Sequence, residues 1–323
     1  MSAAAASEPL ARFVVDLRSK NEDVRLRAAN DLRDHVIAVS REVSGESFTK
    51  FVNDVNKRIF ELIHSNDNID KIGGILAIDR LIDFDGEENT TTVTRFANYL
   101  RIVLPGNDPQ ISVLAAKALG RLAQSGGNLT AEFVEFEVKR ALEWLQGDRH
   151  EARRYAAVLV LRELAVSAPT LIYAYVGQIL DLIWVALRDP KVVIREGAAD
   201  ALNATLALVH VRENQQRKQW YRKILEEAQK GFKIGSSDAI HGSLLTLREL
   251  LTQKGTYPPD RYKELCESVL KYKDHRDSLV RRTVILMIPT LAQFDPDSFV
   301  SAYLNGCMSY LLSQLRKEKD RSA

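Results

Sequence analysis

TAEFVEFEVKRALEWLQGDRHEARRYAAVLVLRELAV, residues 130–166, carries two helical patterns separated by one polar turn. In its first half Val134, Val138, Ala141, Leu142 and Leu145 recur at i, i+4, i+7, i+8 and i+11, which places them on one face of an α-helix. Asp148 then opens a second helix in which Ala156, Ala157, Leu161 and Leu164 are available for burial. One such helix pair encloses too little interior to be stable alone, so the pattern demands neighbours.

Those neighbours are present along the chain. An Asn or Asp followed eight residues later by a small residue recurs as Asn21 with Ala29, Asn66 with Gly74, Asn107 with Ala115, Asp148 with Ala156 and Asp189 with Gly197, at intervals of 45, 41, 41 and 41. Gly242 and Thr283 extend the small-residue series by 45 and 41. Paired helices at a period of roughly 40 to 47 residues match the HEAT or armadillo class. The expected fold is therefore all-α, a HEAT-repeat α-solenoid with a right-handed superhelix, in which each pair covers its neighbour's apolar stripe.

Helices are expected over residues 10–18, 22–43, 48–64, 69–83, 91–104, 109–124, 130–146, 149–166, 169–187, 190–211, 215–233, 238–253, 259–273, 276–292 and 297–318. They group into repeats 10–43, 48–83, 91–124, 130–166, 169–211, 215–253 and 259–292, about seven pairs, with 297–318 beginning the next. Asp108-Pro109 and Asp189-Pro190 each read as a cap followed by proline at the first helical position. Gly126-Gly127, Ser167-Ala168-Pro169, Tyr257-Pro258-Pro259 and Asp295-Pro296 separate one repeat from the next. The stripe Val300, Leu304, Cys307, Met308, Leu311 and Leu312 lacks a following helix to cover it, so residues 1–323 read as a single solenoid that is a fragment of a longer array.

Composition narrows the function. Hydrophobic residues make up 46% of the 323, and sixteen glycines with nine prolines are few, consistent with long helices and extensive cores. The formal net charge of +2 supplies no global field toward nucleic acid or an anionic membrane. No targeting segment opens the chain, and apolar runs such as residues 156–161 fall far short of the ~20 residues that span a bilayer. Two cysteines 41 residues apart, Cys266 and Cys307, read as reduced core residues at equivalent repeat positions. Sequons at Asn89, Asn128 and Asn203 read as chance matches in the absence of a secretory signal.

Chemistry-bearing motifs are lacking. The histidines at 35, 64, 150, 210, 241 and 275 have no metal-ligand spacing, and no phosphate-binding glycine loop or nucleophile elbow occurs. His275-Arg276-Asp277 resembles a kinase catalytic loop but has Arg282 where asparagine is required. Asp83-Phe84-Asp85-Gly86 resembles a metal-binding DFG but carries an extra Asp and precedes the supposed loop, so both read as repeat turns. Arg154 and Arg195, six residues after Asp148 and Asp189, read as an Asp/Arg ladder between repeats. The acidic residues 83–88 and the basic run Arg212, Arg217, Lys218, Arg222 and Lys223 are solvated faces or docking surfaces.

Several stretches are more specific than a generic repeat: GGILAI at 73–78, RFANYLR at 95–101, EFVEFEVKRALEWL at 132–145, AAVLVLREL at 156–164, IREGA at 194–198, QWYR at 219–222, EEAQKGF at 226–232 and IHGSLLTLREL at 240–250. Together they resemble the N-terminal HEAT region of the target-of-rapamycin (TOR) kinases, members of the phosphatidylinositol-3-kinase-related family. The resemblance implies a parent Ser/Thr protein kinase controlling growth in response to nutrients, whose catalytic domain lies outside this chain. It implies no catalytic, cofactor-binding or metal residue here, ATP and Mg belonging to that absent domain. It also implies a scaffold that meets a Raptor-type subunit, contributes to a TOR complex dimer and touches a Rheb-type small GTPase. The implied location is cytoplasmic, with peripheral association to vacuolar or lysosomal membranes through partners. Exposed positions on the family-like stretches, Arg95, Asn98, Tyr99, Arg101, Glu132 and Glu135, are the candidate partner contacts. A transport or nucleic-acid-binding solenoid using the basic run, and autonomous kinase activity, are the competing expectations.

Overall fold

A computed structural model describes residues 6–43, 45–84, 89–125, 130–212, 215–253 and 257–319. Among these residues every regular element is helical. They fall into two compact units, Met1–Tyr175 and Val176–Ala323.

The first unit contains α1 (Leu10–Leu17), α2 (Glu22–Glu42), α3 (Gly45–Ile63), α4 (Asn68–Leu81), α5 (Asn89–Val103), α6 (Pro109–Ser125), α7 (Thr130–Gly147), α8 (Glu151–Ser167) and the short α9 (Pro169–Ile172). Antiparallel pairs α1/α2, α3/α4, α5/α6 and α7/α8 pack internally, and the second helices α2, α4, α6 and α8 also pack on one another in sequence. The second unit contains α10 (Val176–Leu187), α11 (Val192–Val211), α12 (Gln215–Ile234), α13 (Ser237–Thr252), α14 (Tyr262–Leu270), α15 (Ser278–Phe294), α16 (Pro296–Ala302) and α17 (Leu304–Lys319). Here α11, α13 and α15 form the inner row, with α10, α12 and α14 packed against them.

Position in this arrangement dictates the sequence pattern. First helices are buried on one face, and the expected stripe of α7, Val134, Val138, Ala141, Leu142 and Leu145, is its buried face. Second helices are enclosed on several sides, so their buried residues run consecutively: Ile72 to Ile78 in α4, Ala156 to Leu161 in α8 and Ala239 to Leu247 in α13 are buried without interruption, the last including His241, Ser243 and Thr246. The same reasoning explains Pro169–Leu187, a stretch apolar enough by length and composition to cross a membrane. It is interrupted by a 3-10 turn at Tyr173–Tyr175, and α10 buries Val176, Ile179, Leu180, Ile183 and Trp184 within its own unit.

Side-chain acceptors start the inner helices. Asn21 caps α2 by accepting from the Asp23 amide at 2.9 Å, and Asp277 caps α15 by accepting from Leu279 at 2.8 Å. In the two repeats that follow the first, the caps are Asp67 on α4 and Asp108 on α6, each accepting at 2.8 Å; Asp108 is the cap read from the sequence, and Asp67 lies next to Asn66 of the periodic series. Pro109 does open α6, but Pro190 lies outside α11: the backbone at Lys191 is extended (ψ 121°), so the helix begins at Val192.

Three expected helices are shorter or broken. Residues 169–187 are divided as described; 259–273 becomes a 3-10 turn, Pro259–Arg261, followed by α14; and 297–318 is divided at Tyr303 into α16 and α17. Proline near the start of each interrupted segment fixes the entry geometry without setting how far the helix then runs.

Close packing of the inner row rests on glycine. A Cβ on Gly73 of α4 would lie 2.2 Å from the Leu17 carbonyl oxygen of α1, and one on Gly242 of α13 would lie 1.8 Å from that of Leu187 in α10. Gly74, the residue of the periodic series, faces Ile63 side-chain atoms at 3.0 Å instead. Gly242→Ala is therefore expected to lower stability by about 2 kcal/mol or more, because backbone must move. Gly306→Ala, in α17 with nothing within 4 Å of the added methyl, should be neutral or stabilising by up to about 1 kcal/mol. Thermal unfolding of the two variants side by side tests this contrast.

Candidate protein-protein interface

The six candidate contacts lie on two adjacent outer helices, Arg95, Asn98, Tyr99 and Arg101 on α5 and Glu132 and Glu135 on α7. Asn98, Glu132 and Glu135 are exposed, whereas Arg95, Tyr99 and Arg101 are half-buried. Glu135 pairs with Lys139 one turn along α7. The Tyr99 ring sits 5.4 Å from that of Phe60 on α3, and burial raises its hydroxyl pKa, opposed by Arg95.

Arg101 is committed to the fold. Its Nε donates to Glu137 Oε1 at 2.7 Å, its Nη1 donates to Asn98 Oδ1 at 2.8 Å, and its guanidinium stacks 4.3 Å from the Phe136 ring centre. Glu137 is completely buried, and Arg140 of its own helix pairs with its second oxygen. Burial lowers the Arg140 pKa, with Glu137 opposing that shift. Two guanidinium groups thus flank one carboxylate, and Arg140 also lies 4.8 Å over Trp144.

Around this cluster the outer helices expose apolar side chains that periodicity did not single out. Phe60 of α3, Ile102 of α5 and Phe136 of α7 are each 41 to 53% exposed. Together with Tyr99, Arg101, Arg140 and Trp144 they form an aromatic and arginine-rich stripe across three outer helices. Such residues dominate the energetics of protein interfaces because they bury large area at low entropy cost. The legible signal was an aromatic residue on the otherwise polar side of an amphipathic helix.

The inter-helix turns are organised by arginine. Arg25, Arg154, Arg195 and Arg281 each donate through Nη1 to the carbonyl oxygens six and five residues earlier, at 2.6 to 3.2 Å. Arg154 in this way bonds the backbone of its own turn. Arg195 adds a true inter-repeat link, donating from Nη1 to Asp238 at 2.6 Å and from Nε to His241 Nδ1 at 2.9 Å. That bond places the His241 proton on Nε2. Burial, and then Arg195, lower the His241 pKa to about 4, with Asp277 opposing and Arg248 adding to the shift.

Other singled-out positions are likewise structural. Within His275-Arg276-Asp277, Asp277 caps α15 and the His275 carbonyl accepts from Arg281 at 2.8 Å. Asp83 pairs with Arg121, while Asp85 to Glu88 lie outside the described residues, as do Gly126, Gly127, Asn128 and the Asn89 side chain. Asn203 Nδ2 donates to Glu249 at 2.6 Å, and Cys266 and Cys307 are buried thiols whose pKa values burial raises. In the basic run, Lys223 pairs with Asp181 and Arg217 donates to the His210 carbonyl at 3.2 Å. Among the described residues no group of three or more His, Cys, Asp or Glu is arranged to hold a metal ion.

Solved structures of Kap95p share this fold: two superpose with TM-scores of 0.56 and 0.61 at 16% and 13% identity, covering 97% of this chain and 38% and 40% of theirs. The first of them is yeast importin-β. The chain is accordingly a HEAT-repeat α-solenoid. No protein-family model matches it. Among curated proteins it is 48% identical over 310 residues to the Schizosaccharomyces pombe serine/threonine-protein kinase tor1, 41% identical to Saccharomyces cerevisiae TOR2 and 42% identical to Arabidopsis thaliana TOR. These alignments cover 93 to 98% of this chain but only 12 to 13% of each kinase. The chain belongs, over this segment, to the TOR kinase family. As a helical-repeat segment that matches 12 to 13% of each kinase, it is not the kinase domain.

Arg101→Ala is expected to lower stability by about 2 kcal/mol or more, since Glu137 would stay buried with one partner fewer. Glu132→Ala, at an exposed position, should stay within about 0.5 kcal/mol of the parent in the same denaturation experiment. His241 supplies a pH signature. Its folded pKa of about 4 lies below the ordinary value of 6.5. The unfolded chain therefore takes up a proton that the folded chain refuses; stability is full above pH 6.5 and falls toward pH 4, by about 1.4 kcal/mol per unit. His241→Asn keeps an acceptor for Arg195 and should flatten this part of the thermal-stability profile between pH 7.5 and 4.5.

Proposed function

We propose that this chain is a non-catalytic docking segment of a TOR-type, nutrient-responsive Ser/Thr kinase, and that the stripe on α3, α5 and α7 receives a Raptor-type companion subunit. The observation that carries this reading is the exposed cluster of Phe60, Tyr99, Ile102 and Phe136 beside Arg101 and Arg140, set on helices whose opposite faces are fixed by the core. An exposed array rich in aromatic residues and arginine is the composition of interface hot spots. The family relationship supports a companion subunit of the TOR complex as the occupant, with a Rheb-type GTPase and the second copy of the complex meeting other parts of the segment.

The parent polypeptide is proposed to be longer than this chain, in keeping with the 12 to 13% share of each kinase that it matches. ATP and Mg then act only in the parent's catalytic domain, and this segment takes no cofactor. A cytoplasmic location with peripheral association to vacuolar or lysosomal membranes follows from that parentage. Arg101 is unsuitable as a contact to be reversed, because a carboxylate there would face buried Glu137.

The test reverses Glu132 and Glu135 to Lys and replaces Phe136 by Ala, together. Pull-down of a Raptor-type subunit should weaken by about tenfold or more while the helical circular-dichroism signal is unchanged. Undiminished capture by a folded triple variant would remove the α5/α7 face as the docking site.

A further inference from the structure

In the second unit a cleft of about 620 Å³ opens between α12 and the turn leading into α14. Leu225, Tyr257 and Pro259 give it apolar walls, and Lys218 and Arg222, one helical turn apart, stand exposed at its rim. The other cations around it are occupied: Arg261 is bound to Glu264 at 2.6 Å, Lys223 to Asp181, and Arg217 to the His210 carbonyl. Lys218 and Arg222 have no ion pair or hydrogen bond among the described residues.

A second observation is independent of this charge. Tyr221 lines the same cleft and is only 7% exposed, yet its hydroxyl has no hydrogen-bond partner among the described residues. A buried hydroxyl left unpaired opposes folding unless something completes it. Burial raises the Tyr221 pKa against the influence of Arg217, so the group remains a donor at neutral pH.

We propose that this cleft binds a short peptide segment of a partner protein in which a carboxylate side chain is followed by an apolar one. The carboxylate meets Lys218 and Arg222, the apolar side chain packs against Leu225, Tyr257 and Pro259, and the segment supplies the acceptor that the Tyr221 hydroxyl lacks. Glu226, also in the lining, leaves the rim with one net positive charge. That balance is matched in charge by a monoanionic carboxylate. It also argues against nucleic acid, whose binding requires cations that track successive phosphates. The site is distinct from the α3/α5/α7 stripe and does not depend on the Raptor-type docking proposed there.

The probe is the blocked dipeptide N-acetyl-Glu-Phe-amide, titrated to about 10 mM into the isotopically labelled chain and followed by amide NMR. Saturable shifts at Leu225 and Tyr257 are expected. They should be weakened about fivefold or more by Lys218→Glu with Arg222→Glu, and likewise by Tyr221→Phe. Tyr221→Phe should leave the melting temperature equal or higher, because it removes an unpaired hydroxyl; a lower melting temperature would assign that hydroxyl to the fold and overturn its role in binding. Absence of saturable shifts, or equal shifts from N-acetyl-Gln-Phe-amide, would overturn the site. Tighter binding of phenyl phosphate or of a single-stranded oligonucleotide at the same residues would overturn the carboxylate assignment.

Discussion

The close approach of inner to outer helices is the constraint on which the rest of the architecture depends. At Gly73 and Gly242 the backbone of one repeat presses against the last carbonyl of an outer helix in the preceding repeat, at a separation that no side chain could occupy. With the inner helices enclosed in this way, consecutive residues are buried in α4, α8 and α13. The outer helices need only a single buried stripe, which leaves their opposite faces free for other uses.

Charged residues then serve two distinct ends. At the turns, Arg25, Arg154, Arg195 and Arg281 satisfy carbonyls that neither helix of the pair can reach. Among the outer helices, Arg101 and Arg140 neutralise a carboxylate that is wholly removed from water. Those arginines also hold Phe136 at the surface by stacking on it. Structural ion pairing and the display of an aromatic contact are in this way parts of one cluster.

Much of the helical layout could be read from periodicity, because burial repeats at a fixed interval and leaves an apolar trace. Asp108 caps its helix as read, whereas the cap of α4 is Asp67, next to Asn66 of the periodic series, since a cap is chosen by backbone angle and not by residue type alone. Likewise Gly73, adjacent to the periodic Gly74, makes the tight contact, a distinction of about 100° around a helix that composition cannot resolve. Of the candidate interface residues, Glu132 and Glu135 are exposed as read, whereas Arg101 is engaged beneath the surface, because a neighbouring helix carries Glu137 to it.

By itself the sequence determined that the chain is a run of paired helices, which apolar strips are buried, and its kinship with the TOR kinases, since each of these depends on local spacing or on residue identity. Only the tertiary structure decided which arginines reach a turn, a carboxylate or a ring, and which aromatic side chains gather into one exposed stripe. It also decided that the Tyr221 hydroxyl is enclosed with no hydrogen-bond partner among the described residues. The aromatic stripe and the Arg101–Glu137 pair depend on side chains about 40 residues apart meeting across neighbouring helices, and the sequence records such meetings only through the packing that produces them.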